Sequence, residues 1–177
     1  MSLGRFAEYA ADHIEHAMQA GERLPNSIEL AADKMIAGLL EGGRILCAGT
    51  DAGDLLAHYF SRLLVDQLEL QRPPLPALWL DAANTGEMGA RQLGALAGSQ
   101  DVLLLIHLQA QPCPLLASAL EHQLPVIYLH RDGQSPASQP HLLTIAVPGQ
   151  RRARLHEGAL LALHGLCDHI DTQLFGA

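Results

Sequence analysis

The sequence contains a single lysine, Lys34, and its eleven basic residues face nineteen acidic ones, for a formal net charge of −8. A protein that binds DNA or RNA directly displaces counterions from phosphates with a basic face. This chain has no surplus of positive charge from which to build one, so its expected partners are proteins or small molecules and not nucleic acid. Aromatic residues are scarce, at 4% against 49% hydrophobic residues overall. The core must therefore be built from Leu, Ala, Ile and Val, a palette that favours helices with a few β-branched strands between them. The three cysteines, Cys47, Cys113 and Cys167, form no Cys-x-x-Cys pair, and each lies in an apolar pattern. Buried free thiols in a reducing compartment account for that. Long apolar runs are missing as well: VLLLI (102–106) is far shorter than the roughly 20 residues that a membrane-spanning helix needs. The opening stretch MSLGRFAEYAADHIEH carries acidic residues and no signal-peptide core. These absences lead to the expectation of a soluble, cytoplasmic protein with no membrane partner.

What is present has a regular order. The length suits one domain with a sizeable core, expected to span 1–177 as a helical pair in 1–42 and an α/β core in 43–177. A first helix over 4–20 would carry Phe6, Ala10, Ile14, Ala17 and Met18 on one face. A second is expected from Asn26, an N-cap residue with Glu29 three positions on, to the stop at Gly42-Gly43. Five short apolar segments follow at 44–49, 77–81, 101–108, 125–130 and 141–147. They run unbroken rather than alternating, as strands of a parallel sheet do when both faces are buried. Helical stretches at 52–70, about 86–97 and 113–122 separate most of them, and a long helix from 151 to 174 closes the chain. QRPPLP (71–76) reads as a stiff lead-in to the second strand, and RDGQSPASQP (131–140) as a loop.

The stretch ILCAGTDAGDLLAHYF (45–60) has the architecture of a phosphate cradle: a buried strand, a small-residue turn and a helix N-terminus with free amides. Its turn nevertheless carries Asp51 and Asp54. Either carboxylate could cap the helix in place of an anion, and each would repel a phosphate about 6 Å away by roughly 1–3 kcal/mol at surface-like screening. An aspartate-capped strand–turn–helix is the better reading. No Walker lysine, no Gly-x-Gly-x-x-Gly spacing and no ordered Ser–His–Asp set is present. Cys113 near His107 is a conceivable thiol–imidazole pair, but a lone Cys-x-Pro carries little weight.

Two N-terminal helices followed in order by ILCAG, RPPLPAL and ARLHEGALLALHGLCDHIDTQLF resemble the sugar isomerase (SIS) family. Within it the chain is similar to the phosphoheptose isomerase branch, and more so to the branch's non-catalytic members that associate with the replication initiator DnaA. The resemblance spans essentially the whole chain, with shorter connections around 82–100 and 109–122. It implies an α/β three-layer sandwich, a five-stranded parallel sheet flanked by helices, with two N-terminal helices and a long C-terminal one. It also implies a ligand pocket at the C-terminal strand ends and a homotetramer packed partly through the N-terminal helices.

The family's phosphate turn corresponds to Gly49, Thr50, Asp51, Ala52 and Gly53, where glycine replaces a hydroxyl-bearing serine and Asp51 replaces a glycine. The family's second, hydroxyl-rich loop corresponds to HLQAQPCP (107–114), which has no Ser or Thr. His107 and Gln109 could still bond a polar ligand, although solvated loop residues are the simpler reading. The family's acid/base and metal positions correspond to Tyr59 and Leu63 on one helix and to His156 and His164 on the last. Leu63 can carry neither a proton nor a metal, and Tyr59 is a poor base near neutral pH. His156 and His164 are about 12 Å apart along a helix axis, so satisfied or solvent-facing histidines are favoured over a zinc site completed by His58. The resemblance finally places a partner contact at Leu174 and Phe175, expected just beyond the last helix. The resulting expectation is a non-catalytic scaffold with no catalytic residue, metal or cofactor, which binds DnaA and itself. The alternatives are a sugar-phosphate isomerase acting on sedoheptulose 7-phosphate, or a sensor whose altered pocket takes an uncharged or cationic metabolite.

Overall fold

The computed structural model describes residues 3–82 and 87–176. Helix α1 (Leu3–Arg23) passes into α2 (Pro25–Leu40) with Leu24 alone between them, and Leu24 itself stays near helical angles. Its amide bonds to the Ala20 carbonyl and its carbonyl accepts the Ile28 amide, both at 2.9 Å. The expected cap at Asn26 is therefore corrected: Pro25 occupies the first helical position, where its fixed φ and missing N–H cost nothing, and Asn26 lies inside the helix. Helix α1 docks on the last helix through Arg154. That guanidinium is fully buried, forms ion pairs with Asp12 (3.2 Å) and Glu157 (2.7 Å), and lies 4.1 Å from the centre of the Tyr9 ring. On the opposite side of α1, Phe6, Ile14 and Met18 are 57%, 58% and 64% exposed.

The strands β1 (Ile45–Gly49), β2 (Ala77–Leu80), β3 (Val102–His107), β4 (Val126–Arg131) and β5 (Leu142–Val147) form one sheet in the order β2-β1-β3-β4-β5. Every neighbouring pair is parallel. Successive residues of the central strands feed two separate cores. Ile45, Cys47, Leu104, Ile106, Ile127 and Leu129 pack on one face with α2, α3 (Ala52–Val65) and α6 (Arg152–Phe175). Leu46, Ala48, Leu103, Leu105, Val126 and Tyr128 pack on the other with α4 (Glu87–Leu96) and α5 (Pro114–Glu121). The expected three-layer α/β sandwich is the observed one. The expected start of α4 near residue 86 lies outside the described residues.

Two helix ends differ from expectation. Helix α3 stops at Val65 and not near 70, because the buried Arg72 reaches back from the RPPLP segment to the Leu63 and Leu64 carbonyls (3.0 and 2.8 Å). Its Nε donates to Asp171 at 2.5 Å. Arg72 thus satisfies helix-terminal acceptors that continued helix would otherwise have satisfied. Helix α6 runs one residue past the expected end at 174, so that Leu174 and Phe175 lie in its final turn and not beyond it. Leu174 packs half-buried against the core, while Phe175 is 38% exposed with the Arg72 guanidinium 5.9 Å from its ring centre.

Candidate functional site

In the observed strand order the chain leaves β1 for β2 on one side and returns past it to β3, so the switch point lies between β1 and β3. Open parallel sheets place ligands outside the carboxyl ends of their strands at such a point. A cleft of about 320 Å³ lies there, lined by Thr50, Asp51, Ala52 and Gly53 after β1, Leu108 to Gln111 after β3, Arg131, Gln150, and Arg152, Leu155 and His156 of α6.

The turn on the β1 side is strained. Asp51 has φ 50° and ψ −125°, and the Gly53 amide donates to the Thr50 carbonyl at 2.9 Å. This is the geometry of a type II′ turn, whose first central position belongs to glycine. Neither aspartate caps α3 with its side chain, which corrects the expected cap. Asp51 instead accepts a hydrogen bond from the Gln109 amide across the cleft mouth. Asp54 accepts one from Trp79 Nε1 at 2.9 Å, and burial pushes its carboxyl above the usual range against that bond. The glycines of this segment serve packing. A Cβ on Gly49 would fall 2.3 Å from the Gly53 carbonyl, and one on Gly53 would fall 2.6 Å from the Ile106 carbonyl oxygen. Helix α3 is seated so close to β3 that no side chain, hydroxyl-bearing or otherwise, fits at Gly53 on this backbone.

His107 is not a solvated loop residue. It ends β3, is 5% exposed, and its Nε2 donates to the Gln111 carbonyl at 2.6 Å. Nδ1 therefore accepts from the Thr50 hydroxyl, also at 2.6 Å. Thr50 and both loops are thus locked to one imidazole, and the only hydroxyl in the cleft lining is already engaged. With both His107 nitrogens occupied, no thiol–imidazole pair forms with Cys113, whose thiol is buried and pushed up in pKa by desolvation.

On the opposite wall only His156 is among the positions that the family resemblance implies. Arg131 at the end of β4 donates to Gln150, and Arg152 opens α6 beside His156. Burial, reinforced by the Arg152 charge, lowers the His156 pKa and favours the neutral imidazole. The visible signals were an arginine at a strand's C-terminal end and the RR pair at a helix start; what they lacked was any indication that both face the 50–53 turn.

The four remaining family positions fall into two groups. Tyr59, 38% exposed, hydrogen-bonds through its phenol to His164 Nε2 at 2.9 Å. Leu63 is 8% exposed within the α3–α6 core, and His156 stands apart at the cleft. His58 stacks on Trp79 with ring centres 4.9 Å apart. Among the described residues no three His, Cys, Asp or Glu side chains gather as a metal-holding group, and no helix is long and apolar enough to cross a membrane.

No family model matches the chain, but individual proteins do along nearly its full length. The phosphoheptose isomerase of Shewanella halifaxensis is 33% identical over 192 residues, covering 98% of this chain and 96% of its own. The DnaA initiator-associating protein DiaA of Cronobacter sakazakii is 31% identical over 190 residues, covering 98% and 97%. The solved phosphoheptose isomerase from Francisella tularensis superposes with a TM-score of 0.84 at 26% identity, covering 97% of this chain and 99% of its own. With the sheet order, the cleft and these relatives in agreement, the chain belongs to the sugar isomerase (SIS) family, in its phosphoheptose isomerase-like branch.

Proposed function

We propose that the chain is a non-catalytic, cytoplasmic SIS-fold scaffold that self-associates and binds the replication initiator DnaA, association with DnaA being what the name of its Cronobacter sakazakii relative states. The observation that carries this reading is the content of α3. Moving a proton between neighbouring carbons needs an acid/base pair poised over the substrate. The two family positions for it hold a phenol tied to His164 and a leucine packed in the core. A strained Asp51 in the anion turn and the absence of a side chain at Gly53 point the same way.

Self-association as a homotetramer is supported by the exposed Phe6, Ile14 and Met18 on α1, which form an apolar stripe that a second copy would cover. The acidic charge suits a partner that supplies the DNA contacts itself. Leu174 and Phe175 are the proposed contact with DnaA; Leu174 is half-buried, so Phe175 would present most of the surface. Surface plasmon resonance with immobilised DnaA tests this reading. Saturable binding that vanishes in a Leu174→Ala/Phe175→Ala variant of unchanged oligomeric state is expected, and no binding by the wild type would refute it.

The Tyr59–His164 hydrogen bond favours a second reading, a sugar-phosphate isomerase that retains a proton-transfer pair. Turnover of sedoheptulose 7-phosphate separates the two.

A further inference from the structure

We infer that a second pocket, on the α5 side of the loop after β3, binds an uncharged aromatic molecule that presents a hydrogen-bond acceptor to the phenol of Tyr128. This goes beyond the scaffold reading, which requires no ligand, and it concerns the opposite face of the sheet from the cleft described above.

The pocket measures about 420 Å³, within the range of small-molecule sites. Three elements wall it: Pro112 of the loop after β3, Leu116, Ala117 and Leu120 of α5, and Gln134 and Pro136 of the 131–140 segment. No charged side chain lines it among the described residues, whereas the cleft on the far side of the same loop carries Arg131, Arg152 and Asp51. An ion entering here would lose its hydration with no opposite charge to replace it. The occupant is therefore uncharged.

Tyr128 supplies the specific contact. It lines the pocket from β4 and is 5% exposed, and among the described residues its hydroxyl has no hydrogen-bond partner. Burial, with the Cys113 thiol beside it, pushes the phenol well above its usual pKa, so the group stays a protonated donor at physiological pH. A buried phenol ordinarily finds a partner; this one is left to whatever fills the pocket. Its ring stacks nearly parallel to those of His107 and His130, with centres 6.3 and 5.2 Å away. The donor is thus in place before a ligand arrives, which lowers the cost of binding. Leucine and proline surfaces around one donor suit an aromatic ketone. They do not suit a sugar, most of whose hydroxyl groups would be buried without partners.

Acetophenone is the probe. Ethylbenzene, which lacks the carbonyl, and benzoate, which adds a charge, are the controls of similar shape. Saturation-transfer NMR titrations on the full-length protein should show saturable acetophenone binding, tighter than that of either control. Tyr128→Phe removes only an unpartnered hydroxyl and should leave the melting temperature unchanged. It should weaken acetophenone binding about three- to tenfold, the worth of one neutral hydrogen bond, and leave ethylbenzene binding as it was. Ala117→Phe, at an exposed position of α5, should fill the pocket and abolish acetophenone binding with melting temperature and oligomeric state unchanged. The inference is overturned if acetophenone fails to bind up to its solubility limit, if either control binds as tightly, or if either variant binds acetophenone as the wild type does. Dissociation of the oligomer by Ala117→Phe would assign the pocket to a contact between copies and overturn it as well. None of these readouts involves DnaA or turnover, so the inference and the scaffold reading fail separately.

Discussion

Helix α6 joins two regions of opposite character. Toward its C-terminus Asp171 meets Arg72, and one guanidinium there satisfies a carboxylate and the carbonyls of Leu63 and Leu64, all out of contact with water. Toward its N-terminus Arg152 and His156 border an open cleft whose far wall holds Asp51 in a backbone conformation suited to glycine. At the clamp every charge is paired and the backbone is relaxed; at the cleft charges face a void and the backbone is strained. Strain and unneutralised charge persist only where the surrounding fold over-determines them. The clamp is thus a stabilising device, and the cleft is where the fold tolerates strain and exposed charge.

Breaking the clamp should have the largest effect. Arg72→Met leaves Asp171 buried without its ion-pair partner and the Leu63 carbonyl unsatisfied, while the Leu64 carbonyl keeps the Leu75 amide (2.9 Å), and removing one member of a buried ion pair costs about 3–5 kcal/mol. Urea unfolding should register that loss, and a change within experimental error would mean that the pair is dispensable. Next in size is the response to acid. Burial pushes the Asp101 carboxyl up, but its bonds to the Arg44 side chain and to the Gly98 and Arg44 amides outweigh burial and hold it below the usual range. A lowered carboxyl stabilises the fold above its unfolded pKa of about 3.9 and loses that contribution as pH falls through the folded value. His130 acts earlier. Burial holds its pKa down, so below about 6.5 the unfolded chain takes up the proton first and stability declines. Stability should therefore fall in two steps on acidification, and Asp101→Asn should shrink the lower one, to which Asp132, lowered by its bond to Arg23, also contributes.

A smaller effect of opposite sign tests the strain at the cleft. A residue held at such angles costs about 1–3 kcal/mol, and glycine returns part of this through its extra unfolded-state freedom. Asp51→Gly should therefore raise the melting temperature modestly, and a fall would show that the Gln109 bond outweighs the strain. Smallest of all is Phe175→Ala. A half-exposed side chain at a helix end should change stability by no more than about 0.5 kcal/mol while weakening DnaA binding. A large drop in melting temperature would assign the ring to the Arg72 clamp and not to a partner.

The comparison also divides what was legible in the sequence from what was not. The five strands could be placed to within a residue or so, because a strand buried on both faces writes an unbroken apolar run regardless of its neighbours. The end of α3 could not, since Arg72 and Asp171 are far apart in sequence and nothing local announces that they meet. The start of α2 was misplaced because Asn26 and Pro25 give competing local signals and the proline's fixed φ wins. At the cleft, Asp51 could be singled out by its place in a strand–turn–helix unit, whereas Gly53, and Tyr59 and Leu63 outside the cleft, could be singled out only through the family resemblance. Arg131 and Arg152 could not, as they come from the ends of β4 and the start of α6 and share a wall only after the sheet assembles. His107 looked like loop and proved to be a buried tie between Thr50 and Gln111, a role that depends on the β1–β3 pairing.

The central claim is that residues 49–63 keep the shape of a sugar-phosphate site without its proton-transfer chemistry. Incubating the purified protein with sedoheptulose 7-phosphate and following product formation tests it most directly. The account predicts no conversion above the enzyme-free rate. Conversion that survives re-purification and disappears in a His164→Ala variant would contradict it, and would make the Tyr59–His164 pair a catalytic device.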